Sequence, residues 1–252
     1  MSGGTIYNAF EWNIIQQNPM IGVDRPSANK SEKKKMRDVK KNYTKSEAAE
    51  IIIAMNNLPD HWRLYFTGVL LGGFRRGELL AIEWSSLDYE QSAIYIENQI
   101  TIDKTGSKEE REVKTEESEG WIPMPKWYMD ELKRYKAKWG REKLRSKKWL
   151  ADEKEYIFHG KHGVMYYPSS PTREWSKFLK ANKLPHVNLH GLRHTAATLL
   201  REHGADQRSI QKFLRHTKME TTNRYVHEQD TVSRSLIDPL DALNPKRMQF
   251  AP

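Results

Sequence analysis

"NLHGLRHTAATLLREHG", residues 188–204, sets His190, Arg193 and His194 in the first turn of a helix whose other face is apolar. Leu192, Ala196, Leu199 and Leu200 recur at the spacing of a buried helical stripe. Basic side chains at a helix N-terminus meet the positive end of the macrodipole, which is unfavourable unless an anion lies nearby. A surface helix with a solvated end is one reading; a helix that receives a phosphate is the other.

Outward from this helix the pattern is mainly helical. Residues 6–18 read as a helix ending before Pro19, with Ile6, Phe10, Ile14 and Ile15 on one face. "TKSEAAEIIIAMNNLP" opens with a capping box, Thr44 with Glu47, and runs to Pro59. "HWRLYFTGVLLGG" is apolar over most of its surface and belongs at the centre of a core. A short helix follows in "FRRGELLAIEW". "SAIYIENQI" suits a strand through Ile94, Ile96 and Ile100, with "REVKT" and "GWIPMP" as further short strands around a polar turn. Helices are expected over 126–145, 169–182, 189–203, 207–214 and 218–226, with "EYIFHG" and "VMYY" as a short hairpin. The fold class is mainly α with a small antiparallel β-sheet (α+β).

Charge narrows the partners. The 252 residues carry 42 Lys plus Arg against 33 Asp plus Glu, a net charge of +9, which favours a polyanion, nucleic acid first and an acidic membrane second. No apolar run approaches a membrane span and no signal-peptide pattern opens the chain, so a cytoplasmic location is expected. With no cysteine, disulfides and thiolate metal sites are excluded. "KSEKKKMRDVKK", residues 30–41, holds seven basic and two acidic residues with little to bury and reads as a linker. Residues 126–148 hold ten basic and three acidic residues around a stripe of Trp127, Leu132, Tyr135 and Trp139; a solvated face and a DNA-facing one fit equally well.

Other groups of the His190–Arg193 type lie in two further blocks. "GGFRRGELL" places Arg75 between two helices, with Glu78 one turn on, and "FLRHTKMETTNRYVHE" carries His216 and, nine residues later, Tyr225. Each guanidinium can bind two non-bridging phosphate oxygens in its fork and stabilise charge developing at phosphorus. A tyrosine can attack once a base such as imidazole takes its proton, and a lysine can protonate a leaving oxygen. Taken singly these residues say little. Arg75 would serve as a helix-end partner of Glu78, His190 as a residue near an N-cap, His216 as one at a helix C-terminus, and Tyr225 as a packed ring.

Together, "GFRRGELLAIEW", "HGLRHTAATLLREHG" and "FLRHTKMETTNRYVH" resemble, in order and spacing, the motif blocks of the tyrosine recombinases of the phage and conjugative-transposon integrase type. The resemblance runs from about Thr44 to His227. It implies the catalytic-domain fold of that family over 44–227, the last helix of a core-binding domain in 1–29, a basic linker in 30–43 and a C-terminal tail in 228–252. It also implies that Arg75 and Arg193 clamp the scissile phosphate, that His190 assists proton transfer, and that His216 holds a non-bridging oxygen or the attacking hydroxyl. Tyr225 would form the 3′-phosphotyrosyl bond, and Glu78 would orient Arg75. The family's lysine lies in a turn between strands; "REVKTEESEGWIPMP" offers Lys114 there as general acid, with Lys104 and Lys108 as alternatives.

This chain departs from the family at Gly191, where Asp is common, at Arg215, where Gly is common, and in the acidic turn after Lys114. Arg215 makes the local helix end less permissive, because glycine readily takes positive φ. The implied activity is site-specific DNA recombination in the integration or excision of a mobile element, with no cofactor and no metal. The implied partners are double-stranded attachment or recombination sites, a homo-tetramer on DNA that is a monomer without it, and accessory DNA-bending or directionality factors. A type IB topoisomerase-like enzyme and a catalytically idle DNA-binding module are the alternatives. A metal-dependent nuclease is disfavoured by the lack of paired carboxylates at ligand spacing. In the tail, Val232, Leu236, Ile237, Leu240 and Leu243 suit a short amphipathic helix interrupted at Pro239, packing either on its own domain or on a neighbouring protomer.

Overall fold

The helix that is apolar on nearly all sides lies at the centre of the described body. The computed structural model describes residues 40–113, 118–151, 153–215 and 234–245. The helices expected at 6–18 and 218–226 lie outside these residues. Helix α1 (Lys45–Met55) starts at Thr44, whose hydroxyl accepts from the Glu47 backbone while the Glu47 carboxylate accepts from the Thr44 N–H at 2.8 Å. It stops short of the expected Pro59, because residues 56–58 close as turns onto the carbonyls of Ile53, Ala54 and Met55. Pro59 instead begins α2 (Asp60–Gly72), which buries Trp62 and every residue from Leu64 to Gly72. Gly73, at φ +58°, ends it in the left-handed conformation that spares glycine the Cβ penalty.

The short helix α3 (Arg76–Ala81) leads into two small antiparallel sheets rather than one. Strands β1 (Leu87–Asp88), β2 (Ala93–Ile96) and β5 (Gly120–Pro123) form the first; β3 (Asn98–Ile102) and β4 (Lys108–Glu112) form the second. The expected single strand "SAIYIENQI" is therefore a strand that changes partners at Glu97, whose carbonyl accepts from Val113 N at 2.9 Å. Ile94, Ile96 and Ile100 stay buried across the change. Strand β4, "KEERE", has no apolar alternation and lies earlier than the expected 111–115. It is held by its pairing with β3 and by Glu110, which accepts from the Tyr156 hydroxyl at 2.7 Å. The turn before it is set by Asp103, whose carboxylate accepts from the N–H groups of Thr105 and Ser107, each at 2.8 Å.

Helix α4 (Lys126–Arg145) buries Tyr128, Met129, Leu132, Tyr135 and Trp139 and turns its basic face outward. Trp127, expected in the stripe, is only half-buried. Three of its lysines lie over aromatic rings, Lys133 over Tyr89 at 5.8 Å, Lys136 over Trp84 at 5.5 Å and Lys143 over Trp139 at 5.4 Å. The hairpin expected in "EYIFHG" and "VMYY" reduces to isolated bridges: Tyr156 pairs with Glu83, and His159 with Met165.

Helices α5 (Ser170–Ala181), α6 (Leu189–Glu202) and α7 (Gln207–Leu214) complete the body, with α6 packed on α2 and α7 on α6. Tyr43, placed by sequence in the linker, is buried instead: its N–H donates to Thr195 Oγ1 at 3.0 Å and its hydroxyl to Pro185 O at 2.7 Å. The tail segment 234–245 contains α8 (Asp238–Asp241). It buries Ile237, Leu240 and Leu243, with α8 lying on α6 of its own chain.

Candidate active site

Glu78 is the hub of the site. Its carboxylate, 1% exposed, accepts from the Arg75 N–H at 2.8 Å, from Arg75 Nη1 at 2.6 Å and from Arg215 Nη2 at 2.6 Å. The first two contacts follow from local sequence: Arg75 caps α3 and Glu78 is the third residue inside it. Burial opposes the carboxylate charge, but Arg215 and Arg75 outweigh it and hold its pKa below the usual glutamate value. Glu78 is therefore ionised at neutral pH.

Arg75 and Arg193 both reach the end of α7. Arg75 Nη2 donates to Arg215 O at 2.7 Å, and Arg193 Nη2 donates to Leu214 O. Arg193 Nη1 donates to Gly73 O, so one buried guanidinium ties the ends of α2 and α7 together. The C-terminal carbonyls of a helix carry partial negative charge, which suits cations at this place. A side chain at Gly73 would displace Leu214, since a Cβ would lie 2.7 Å from Leu214 Cδ2, and the left-handed backbone there favours glycine. Burial, followed by the Arg215 and Arg75 charges, pushes the Arg193 pKa down to about 9, which leaves it charged at neutral pH.

His190 sits in the first turn of α6, exposed and against His194, with ring centroids 4.8 Å apart. Although the residue is exposed, the protein around part of its ring, then His194, Arg193 and Arg75, lower its pKa, so the ring is neutral at pH 7 and able to accept a proton. The α6 cap is Asn188, whose side chain accepts from Gly191 N at 2.8 Å. Gly191 is forced by packing: a Cβ there would lie 2.1 Å from Val187 Cγ1 and 2.6 Å from Lys41 O. The aspartate common in the family does not fit this backbone.

Among the sequence-predicted residues, Arg75, Glu78 and Arg193 converge, with His190 on the same helix as Arg193. Lys114, His216 and Tyr225 lie outside the described residues, although His216 follows Arg215 directly in the chain. Of the alternative lysines, Lys108 donates to Met165 O at 2.9 Å and lies 5.2 Å from the Tyr167 ring centroid, while Lys104 is exposed in the β3–β4 turn. Two participants escaped sequence reasoning. Ser118, buried in the acidic turn, accepts from Arg75 Nη1 at 3.3 Å. The Arg215 guanidinium was read only as a backbone departure. Its signal was an arginine at a glycine position on a helix end. Three guanidinium charges against one carboxylate leave the cluster at +2, suited to a phosphodiester.

A helical body with two small antiparallel sheets, its arginines and glutamate gathered at one helix end, has the catalytic-domain fold of the tyrosine recombinases. It superposes on the Tn1549 transposon integrase in complex with transposon right end DNA with a TM-score of 0.62 (18% identity; 86% of this chain, 69% of that one). The XerA recombinase gives 0.55 (17%; 98% and 71%), and a lambda integrase dimer bound to a COC′ core site 0.53 (19%; 94% and 58%). The sequence profile of the phage integrase family matches residues 41–231, and the chain belongs to that family.

A tyrosine recombinase XerC-like protein of Caldanaerobacter subterraneus is 30% identical over 166 residues, 62% of this chain and 42% of that protein. Tyrosine recombinase XerC of Rickettsia typhi is 45% identical over 75 residues, 29% of this chain and 25% of that protein. The chain thus spans less than half the length of these curated relatives.

Proposed function

We propose that this chain is a site-specific DNA recombinase that cleaves and rejoins double-stranded DNA by transesterification. Tyr225 Oη attacks the scissile phosphorus and forms a 3′-phosphotyrosyl bond as the bond to the 5′ oxygen breaks. The tyrosine proton passes to an imidazole, with His190 kept neutral for that purpose, and Lys114 protonates the departing 5′ oxygen. His216 holds a non-bridging oxygen or the attacking hydroxyl. Arg75 and Arg193 stabilise the charge that develops on phosphorus. Attack by the freed 5′ hydroxyl of a partner strand reverses the step, so bond energy is conserved and no external energy source is needed.

The observation that carries this reading is the meeting of Arg75, Glu78 and Arg193 at the carboxyl end of α7, the helix that leads into the His216–Tyr225 block. Integration or excision of a mobile element, assembly as a tetramer on DNA, and accessory bending or directionality factors belong to the same proposal.

A nicked suicide substrate tests it. The wild-type chain traps a covalent protein–DNA adduct and Tyr225→Phe does not, while DNA binding is retained. Adducts that persist in Tyr225→Phe, or that require added magnesium, overturn it.

A further inference from the structure

We infer that Arg215 is a positioning residue that acts through Glu78 to fix the guanidinium of Arg75 for the reaction proposed above. Arg215 occupies the left-handed region at φ +53° and ψ +54°, a backbone conformation that favours glycine. A long side chain there calls for a compensating contact, and the structure provides one. Arg215 Nη2 donates to Glu78 Oε2 at 2.6 Å while Arg75 Nη1 donates to Oε1 of the same carboxylate at 2.6 Å. The ring closes through the main chain, because Arg75 Nη2 donates to Arg215 O at 2.7 Å. One residue therefore holds Arg75 twice, by its carbonyl directly and by its guanidinium through Glu78. The Arg215 guanidinium also lies 5.7 Å from the Phe74 ring centroid, one residue before Arg75, and it is 5% exposed. Both of its terminal nitrogens bond within the protein, Nη2 to Glu78 and Nη1 to Phe213 O at 3.4 Å.

The charged and titratable groups facing Glu78 among the described residues are Arg75 at the start of α3, Arg193 on α6, Arg215 at the end of α7 and the Tyr65 phenol on α2. Among the described residues only Arg75 and Arg215 bond to its carboxylate. Without Arg215, burial acts on Glu78 with one bonded guanidinium instead of two. Its carboxyl then takes up a proton at higher pH, and Arg75 loses its ionised partner there.

The test uses the full chain and single-turnover cleavage of a suicide substrate across pH. Arg215→Gly fits the left-handed backbone and so keeps the fold. It is expected to slow cleavage about 10- to 100-fold, the range for outer contacts that orient a reactive group. The rate of this variant should fall off in acid at higher pH than that of the wild type, and Arg215→Lys should recover part of the rate. In a Glu78→Gln background, Arg215→Gly should slow cleavage no further, since its route is already removed. Equal slowing in both backgrounds, or an acid limb that does not move, overturns the inference. Should the wild-type chain form no adduct, the recombinase reading fails separately. The inference is then judged by unfolding against pH, where Arg215→Gly must shift the Glu78-dependent acid transition upward, and an unmoved transition overturns it.

Discussion

Glutamine at position 78 would remove one negative charge from the most buried ionic contact of the site. The wild-type carboxylate takes hydrogen bonds of 2.8, 2.6 and 2.6 Å from Arg75 and Arg215. Breaking a buried ion pair from one side costs about 3–5 kcal/mol, because the partner charge is stranded. Here the stranded charge is Arg215, 5% exposed; the Arg75 side chain, 34% exposed, regains water and adds little. Glutamine keeps one acceptor oxygen, so the loss should lie near the lower end, about 3 kcal/mol. For a domain of this size that corresponds to a fall of about 6–12 °C in Tm. Urea unfolding followed by tryptophan fluorescence, from pH 7 to pH 3, measures both the loss and its pH dependence.

The sign follows from the depressed carboxyl pKa in the folded state. Its stabilising contribution is fully present above the unfolded value of about 4.3 and disappears as pH falls through the lower folded value. The gap between wild type and Glu78→Gln should be constant at neutral pH and narrow in acid. A gap below about 1 kcal/mol at pH 7, the worth of an exposed ion pair, would refute the reasoning. So would a gap that stays constant down to pH 3.

Gly191→Asp should destabilise by about 1–3 kcal/mol, because its Cβ would meet Val187 and the Lys41 carbonyl; a thermal melt unchanged from wild type would contradict that packing. Cleavage should hold its rate as pH falls from 7 to below about 6.5, the ordinary histidine value, because the surroundings of His190 keep it neutral; a rate already halved at pH 7 would remove it as the base. If Lys114 is the general acid, Lys114→Ala should be rescued by a substrate with sulfur in place of the bridging 5′ oxygen, since a thiolate leaves without a proton. Rescue of Lys108→Ala or Lys104→Ala instead would move the assignment.

The helical frame was legible because its signals are local. The capping box at Thr44 and Glu47, the all-round apolar "WRLYFTGVLLGG" and the stripe on α6 each set an element by themselves. Arg75 and Glu78 were legible as a pair for the same reason, being three residues apart at a helix start. Strand β4 was placed late because "KEERE" owes its conformation to β3 and Tyr156, which no window of its own sequence contains. The part played by Arg215 was hidden for a similar reason. A departure from glycine predicts strain, but only the fold shows that the side chain meets a carboxylate 137 residues earlier in the chain.

The double grip of Arg193 and Arg75 on the carbonyls of Leu214 and Arg215 joins positions 21 and 140 residues apart in sequence. A fragment that stops before α7 would hold both arginines, the glutamate and much of the core, yet no clamp. The last turn of α7 therefore sets in one arrangement side chains that α3 and α6 carry separately.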